Sequence, residues 1–245
     1  AGAALLFLIQ CVHLMARYSV TLLTRTEVAE GTMAFEFEKP AGFEFRAGQF
    51  GEWKIANPPY TDAEGNVRPF SIASAPSDDT LMLATRMRNT AFKNSLKEMP
   101  LGTEIELDGP FGSLTLKNSA EKPVVFLAGG IGITPFRSMI RRAAHEKLPH
   151  KILLFYSNRR PEDAAFLEEL QTLAQETINF KLVATMTEEG GEFISVAMLQ
   201  QHLDNLAFPI YYIAGPPAFA AAMWQMLNTA GVDEDNINND EFAGY

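Results

Sequence analysis

The chain has 245 residues, 47% hydrophobic and 20% charged, a balance that indicates globular folding and leaves room for two domains with separate cores. Thirty acidic residues against twenty basic ones give a formal charge of −10, which argues against nucleic acid as a partner. One cysteine, Cys11, excludes an intrachain disulfide framework and a cysteine-ligated iron–sulfur cluster held by this chain alone, and the four scattered histidines have no metal-binding spacing.

Residues 1–14 form a hydrophobic stretch ahead of Met15, where MARYSV reads as a natural start. The uncharged run to Ala16 is shorter than the ~20 apolar residues a bilayer-crossing helix needs. We read it as an upstream extension or an artificial addition, with a signal-like segment, an anchor stub and a partner-packing helix as alternatives. Membrane contact is expected only if this segment is native, and the expected location is otherwise cytoplasmic.

From Tyr18 to about Leu116 the pattern is one of short alternating runs, among them SVTLLTRTEV, TMAFEFEK, FGEWKIA, PFSIAS, TLMLATRMR and TEIELDG. Turn-rich clusters separate them, which predicts an antiparallel barrel or sandwich. A short helix ending near Met99 interrupts the strands.

Beyond the polar stretch Lys117 to Lys122 the rhythm changes to strand alternating with helix: VVFLA, a helix from Pro135, KILLFYS, a helix from Pro161, FKLVATMT, a helix near Val196 to Leu203, IYYIAG and a helix from Pro217. That repetition predicts a mainly parallel sheet covered on both faces. The fold class is therefore a two-domain α+β chain, an antiparallel β-barrel over 15–119 followed by an α/β parallel-sheet domain over 120–245.

The first βα turn, VVFLAGGIGITP, holds Gly129, Gly130 and Gly132. Glycines leave no Cβ between backbone amides and a guest, and the following helix offers unpaired N–H groups and the positive end of its dipole, a cradle for a pyrophosphate. Thr134 is expected as N-cap, with Pro135 in the first helical turn. Within the barrel half, Arg68, Pro69, Phe70 and Ser71 supply a cation for phosphate, an aromatic face and a hydroxyl able to bond a ring nitrogen.

RPFSIAS resembles the flavin-binding Arg-x-Tyr-Ser signature of the ferredoxin–NADP reductase superfamily, AGGIGITP resembles its pyridine-nucleotide loop, and YIAGPPAFAAAM resembles its Cys-Gly-Pro segment. The three occur in the family's order, and the resemblance covers essentially everything after Met15. It implies an FAD-dependent NAD(P)H oxidoreductase in which hydride passes to flavin N5 and electrons pass onward to a separate acceptor.

By that resemblance Arg68 neutralises the flavin pyrophosphate, with Pro69 beside it, Phe70 packs on the isoalloxazine and Ser71 sits near N5. Ala84, Thr85 and Arg86 flank the adenine half. Thr90, Ala91, Phe92 and Lys93 stand where the family has a Gly-x-x-Ser helix start, so binding there relies on backbone amides, the Thr90 hydroxyl and the Lys93 charge. Ser in place of Thr at position 71, with the cations Arg68, Arg86 and Lys93, points to FAD over FMN.

On the nucleotide side the resemblance assigns Gly129, Gly130, Ile131, Gly132 and Thr134 to the pyrophosphate, and Asn158, Arg159 and Arg160 to the adenosine ribose. The two arginines suit a 2′-phosphate and no acidic residue follows the strand at once, which favours NADPH over NADH. Ala214, Gly215 and Pro216 approach the nicotinamide. Phe242 or Tyr245 lies on the flavin face, Asp240 and Phe242 having the family's terminal spacing.

The acceptor first expected is ferredoxin or flavodoxin, docked on a basic surface of Arg86, Arg88, Lys93 and Lys97. Alternatives are the reductase component of an oxygenase, a ferric or free-flavin reductase, and a slow redox-sensing subunit. No metal site is expected.

Overall fold

The structure is a computed structural model and describes residues 17–241. Residues 1–14, Phe242 and Tyr245 lie outside the described residues. Strands β1 (Arg17–Ala29), β2 (Thr32–Glu38), β3 (Phe50–Lys54), β4 (Val67–Ser71) and β5 (Thr80–Arg86) are followed by helix α1 (Ala91–Glu98) and β6 (Glu104–Phe111). They form one six-stranded sheet in the order β4-β3-β6-β1-β2-β5, every pair antiparallel.

Alternation decides which side chains go inside. Phe35 and Phe37 of β2, Leu81 and Leu83 of β5, and Ile105 and Leu107 of β6 enter one buried cluster around Trp53, closed at one end by Phe92 and Leu96 of α1. The end strands β4 and β5 meet without a full ladder. Just beyond β4 the Ala73 amide donates to the Met82 carbonyl at 2.7 Å, and the Met82 amide donates to Ser74 Oγ at 3.0 Å. The expected barrel is thus joined at its seam by single bonds, because the chain turns away after Ser71.

The second half contains β7 (Val124–Gly129), α2 (Ile133–His145), β8 (Ile152–Asn158), α3 (Leu167–Glu176), β9 (Phe180–Met186), α4 (Val196–Gln200), β10 (Ile210–Gly215), α5 (Pro217–Thr229) and β11 (Ile237–Glu241). Its sheet is parallel in the order β11-β10-β7-β8-β9. β7 and β10 are buried along their whole length, which is why both read as unbroken apolar runs. Phe126, Leu154 and Tyr212 pack under Phe136 and Ile140 of α2, while Val125, Leu127 and Ile213 pack on the opposite face under Ala220 and Leu227 of α5.

Two predicted helices differ. Pro161 opens only a 3₁₀ turn, Pro161–Asp163, and α3 starts at Leu167 after Phe166 in a left-handed conformation, φ 61°. The helix expected to reach Leu203 ends at Gln200. Among the described residues no helix is long and apolar enough to cross a membrane, and no group of three His, Cys, Asp or Glu side chains is placed to hold a metal ion.

Candidate functional site

The strand order reverses between β7 and β10, and ligands of such sheets bind in the crevice beyond the carboxyl ends of the strands at that point. There β7 ends at Gly129, a 3₁₀ turn spans Gly130–Gly132 and α2 follows at once. A Cβ on Gly129 would lie 2.8 Å from the Phe219 ring, and one on Gly132 would collide with the Ala214 carbonyl. Gly130 differs: at φ +53° it would meet nothing within 4 Å, because it faces the cleft.

Thr134 is not the N-cap. The 3₁₀ turn runs straight into α2, so Gly132 takes that position and the buried Thr134 hydroxyl donates back to the Ile131 carbonyl at 3.1 Å. Ile131 is half-buried against the core.

The cleft has a volume of about 760 Å³, within the usual range for small-molecule sites. Gly129, Gly130, Asn158 and Pro216 line it together with Phe193 and Phe219. Asn158 is 7% exposed, yet neither its amide nitrogen nor its oxygen has a hydrogen-bond partner. A buried primary amide left open on a cleft fits a ligand rich in donors and acceptors, as a nucleotide is. Ala214 is fully buried, and a Cβ on Gly215 would lie 2.8 Å from the Phe219 ring, so only Pro216 of that segment reaches the cleft. The sequence reading missed Phe193, 77% exposed on the cleft rim; a lone aromatic in an acidic, glycine-containing loop was its only signal.

Asp163 was missed as well. Its side chain, 3% exposed, accepts from Arg160 Nη2 at 3.2 Å and lies 3.7 Å from Arg159 Nε and 3.6 Å from Arg86 Nη2 of β5. Arg160 also pairs with Glu30 at 2.9 Å. The hydrogen bond from Arg160 chiefly holds the Asp163 carboxyl below the usual carboxylate range, against the opposing effect of burial. Arg160 is therefore engaged by carboxylates of its own chain, while the exposed Arg159 lies beside Asp163 and lines the cleft. Arg86, assigned by resemblance to the flavin, lines the cleft that Gly129, Gly130 and Asn158 share.

On the barrel side, the half-buried Phe70 lies 5.8 Å from the Phe92 ring, and Ser71 is buried with its Oγ unpartnered. An orphaned hydroxyl next to an aromatic face fits a heterocycle that offers a ring nitrogen. Phe92 belongs to the barrel core, its ring lying 5.6 Å from the Arg68 guanidinium. Ala84 and Thr85 are buried, the Thr85 hydroxyl donating to the Arg86 carbonyl at 3.4 Å. Thr90 caps α1, its hydroxyl accepting from the Lys93 amide.

Arg68 is folded onto its own loop, bonded to the Glu64, Gly65 and Val67 carbonyls and to the Glu64 carboxylate at 2.7 Å. Asp62 accepts from the Ala91 amide at 3.0 Å, so a carboxylate sits on the first turn of α1. Lys93 is 6% exposed and donates to the Arg86 carbonyl at 2.8 Å. Burial, then the charges of Arg88 and Arg68, pushes its ammonium down to about 8. Of the basic docking surface expected from Arg86, Arg88, Lys93 and Lys97, Lys93 is buried, Arg86 is partly exposed on the cleft, and Arg88 and Lys97 are exposed.

The two halves are fastened beside this site. Arg137 of α2 bonds the Ala73 carbonyl at 2.7 Å and the Glu169 carboxylate at 2.7 and 3.0 Å, and Ser138 bonds the Ser74 carbonyl at 2.6 Å. Arg141 links Glu169 to Asp78, and β5 lies against the Gly130–Gly132 turn.

The model of the oxidoreductase NAD-binding domain matches residues 126–225. The reductase component of propane 2-monooxygenase from Rhodococcus jostii (strain RHA1) is 28% identical over 220 residues, 84% of this chain and 57% of that protein. The chain spans about three-fifths of the length of the curated relatives it matches first. In structure it is similar to the FAD/NAD-binding domain of nitric oxide dioxygenase from Vibrio cholerae, with a TM-score of 0.81 and 17% identity over 92% of this chain and 98% of that one. A ferredoxin NADP+ reductase from Neisseria gonorrhoeae with bound FAD and NADP gives 0.75 and 20% over the same shares.

Proposed function

We propose that the chain is a member of the ferredoxin–NADP reductase superfamily, an oxidoreductase that passes hydride from NAD(P)H to FAD and electrons onward to a separate acceptor, a reading supported by the NAD-binding domain match and the shared fold. The observation that carries this reading is the position of Ser71. Its unpartnered hydroxyl ends β4 two residues before Ala73, whose carbonyl is bonded to the helix that opens from the glycine turn.

A bound flavin supplies the acceptance of hydride and the release of electrons. The protein supplies the rest. Residues 15–119 form the flavin half, in which Lys93 and Arg68 hold the diphosphate, Arg68 by releasing Glu64, and Phe70 and Ser71 hold the ring. Residues 120–245 form the nucleotide half, with Gly130 letting backbone approach the pyrophosphate, Asn158 reading the adenosine side, and Phe242 or Tyr245 covering the flavin. Fixed alignment across the α2 contact is the protein's main contribution to rate.

The Rhodococcus relative is the reductase component of a monooxygenase, which supports an oxygenase system as the acceptor. Ferredoxin or flavodoxin is the second reading. The test is to purify the protein, identify the flavin by mass and assay NADH and NADPH oxidation against ferredoxin, flavodoxin, an oxygenase component and ferric chelates. A colourless protein that takes up no added FAD overturns the proposal.

A further inference from the structure

We propose that β9 is a self-association edge, pairing antiparallel with β9 of a second copy of this chain about a two-fold axis at Val183.

The other sheet margins among the described residues are engaged. The barrel's end strands β4 and β5 meet at the seam, and β11 borders the barrel, where Asn238 and Asn239 share a groove with Phe50 and Gly112. β9 forms the remaining edge of the parallel sheet, in unbroken register with β8 from Phe180 to Met186. The Ile152 amide bonds the Asn179 carbonyl at 2.8 Å and the Thr187 amide bonds the Asn158 carbonyl at 3.0 Å. By alternation, Lys181, Val183 and Thr185 turn their backbone groups to β8, while Leu182 and Ala184 turn theirs outward. Among the described residues nothing bonds those outward amides and carbonyls.

An open strand is usually guarded by proline, a bulge or several charges. β9 has none of these guards. Its sequence FKLVATM carries a single charge, Lys181, in a chain of net charge −10. Leu182 and Val183 are half-buried against opposite cores and Ala184 is exposed, so apolar side chains border the free backbone on both faces of the sheet.

A second copy matches this edge by symmetry. With Val183 facing itself across the axis, Leu182 of each copy stands opposite Ala184 of the other, and every outward amide meets an outward carbonyl. Lys181 then stands opposite Thr185 of the second copy, so the strand's one cation faces no like charge. The antiparallel run also sets the start of each strand, with Lys181, beside the end of the other, after which come the exposed Glu188 and Glu189. Two acidic chains thus meet where repulsion is least and opposite charges approach.

The experiment is sedimentation equilibrium of the purified chain over a concentration series. Wild type is expected to pass from the monomer mass towards twice that mass. Ala184→Pro removes only an outward amide, a change that an edge strand tolerates, and Ala184→Lys sets like charges diagonally across the axis. Each is expected to weaken association at least tenfold while far-UV circular dichroism stays that of wild type. A wild type that keeps the monomer mass throughout the series overturns the proposal. Folded Ala184 variants that associate as tightly as wild type overturn it as well, because the contact is then made elsewhere.

Discussion

The guanidinium of Arg137 donates 2.7 Å to the carbonyl of Ala73, so a buried cation on the nucleotide helix grips the strand extension that begins at Ser71. The same side chain lies 4.5 Å from the centre of the Phe166 ring and bonds both oxygens of Glu169. Replacing Arg137 with Met leaves the Ala73 carbonyl unpaired and Glu169 dependent on Arg141. The expected loss is about 2–4 kcal/mol, read from the midpoint of urea unfolding.

Ser71→Ala separates stability from function. The hydroxyl has no partner in the fold, so removing it should leave the melting temperature unchanged or slightly raised. If the hydroxyl holds the flavin ring, stopped-flow reduction of the flavin by NADH or NADPH should slow about tenfold, the equivalent of ~1.4 kcal/mol.

The glycine turn divides into two kinds of position. Gly130→Val introduces a branched side chain into the cleft at φ +53°, a backbone conformation that costs a non-glycine residue about 1–2 kcal/mol. Dinucleotide affinity should fall at least tenfold while flavin content stays constant. Gly132→Ala places a methyl group against the Ala214 carbonyl and should prevent soluble expression.

Lys93 predicts a pH dependence whose sign follows from its ammonium being pushed down to about 8. Below that value the lysine is charged and, on the proposed reading, attracts the flavin diphosphate; above it the charge is lost. FAD affinity should therefore weaken as pH rises through about 8, approaching at most tenfold per unit. The fold itself responds in the opposite direction, gaining stability between about 8 and the ordinary lysine value because the unfolded chain then binds the extra proton. Lys93→Met should flatten both profiles, measured by flavin fluorescence titration and by denaturation.

Asp163 and Asp78 give the acid limb. Hydrogen bonds from Arg160 lower Asp163; for Asp78, burial raises the carboxyl, but the bonds from Arg141 and the Ala75 amide outweigh it. Both side chains hold ionised partners at neutral pH, and their contribution is lost as pH falls through their depressed values. Melting temperature should drop below about pH 4, and less steeply in Asp78→Asn.

Strands, their order of types and the glycine turn were readable in the chain because alternation in 18–116 and unbroken apolar runs such as VVFLAG and IYYIAG follow directly from burial on one face or two. Side-chain partners were not. Arg68, Arg86, Arg159 and Arg160 all have the charge an anion site needs, yet three of them turn to Asp163 and one to Glu64, pairings set by loops that meet only in the fold. Asp163 lies five residues past the end of β8, beyond the immediate post-strand position, and the Pro161–Asp163 turn is what swings it back. Thr134 shows the same limit at shorter range: a Thr-Pro pair signals a helix start, but the preceding 3₁₀ turn shifts that start by two residues.

The carboxylate that Asp62 lays on the Ala91 amide has a consequence for how the protein acquires its cofactor. Residues 60–65 are docked on α1 by Tyr60, which bonds Ser95 and Glu98, so the cationic corner around Arg68 and Lys93 is neutralised by the chain itself and the barrel can fold before any dinucleotide arrives. Loading then becomes a swap of one anion for another. Added salt will blunt it less than the number of positive groups implies, and the ousted hairpin becomes the stretch that a protease cuts first.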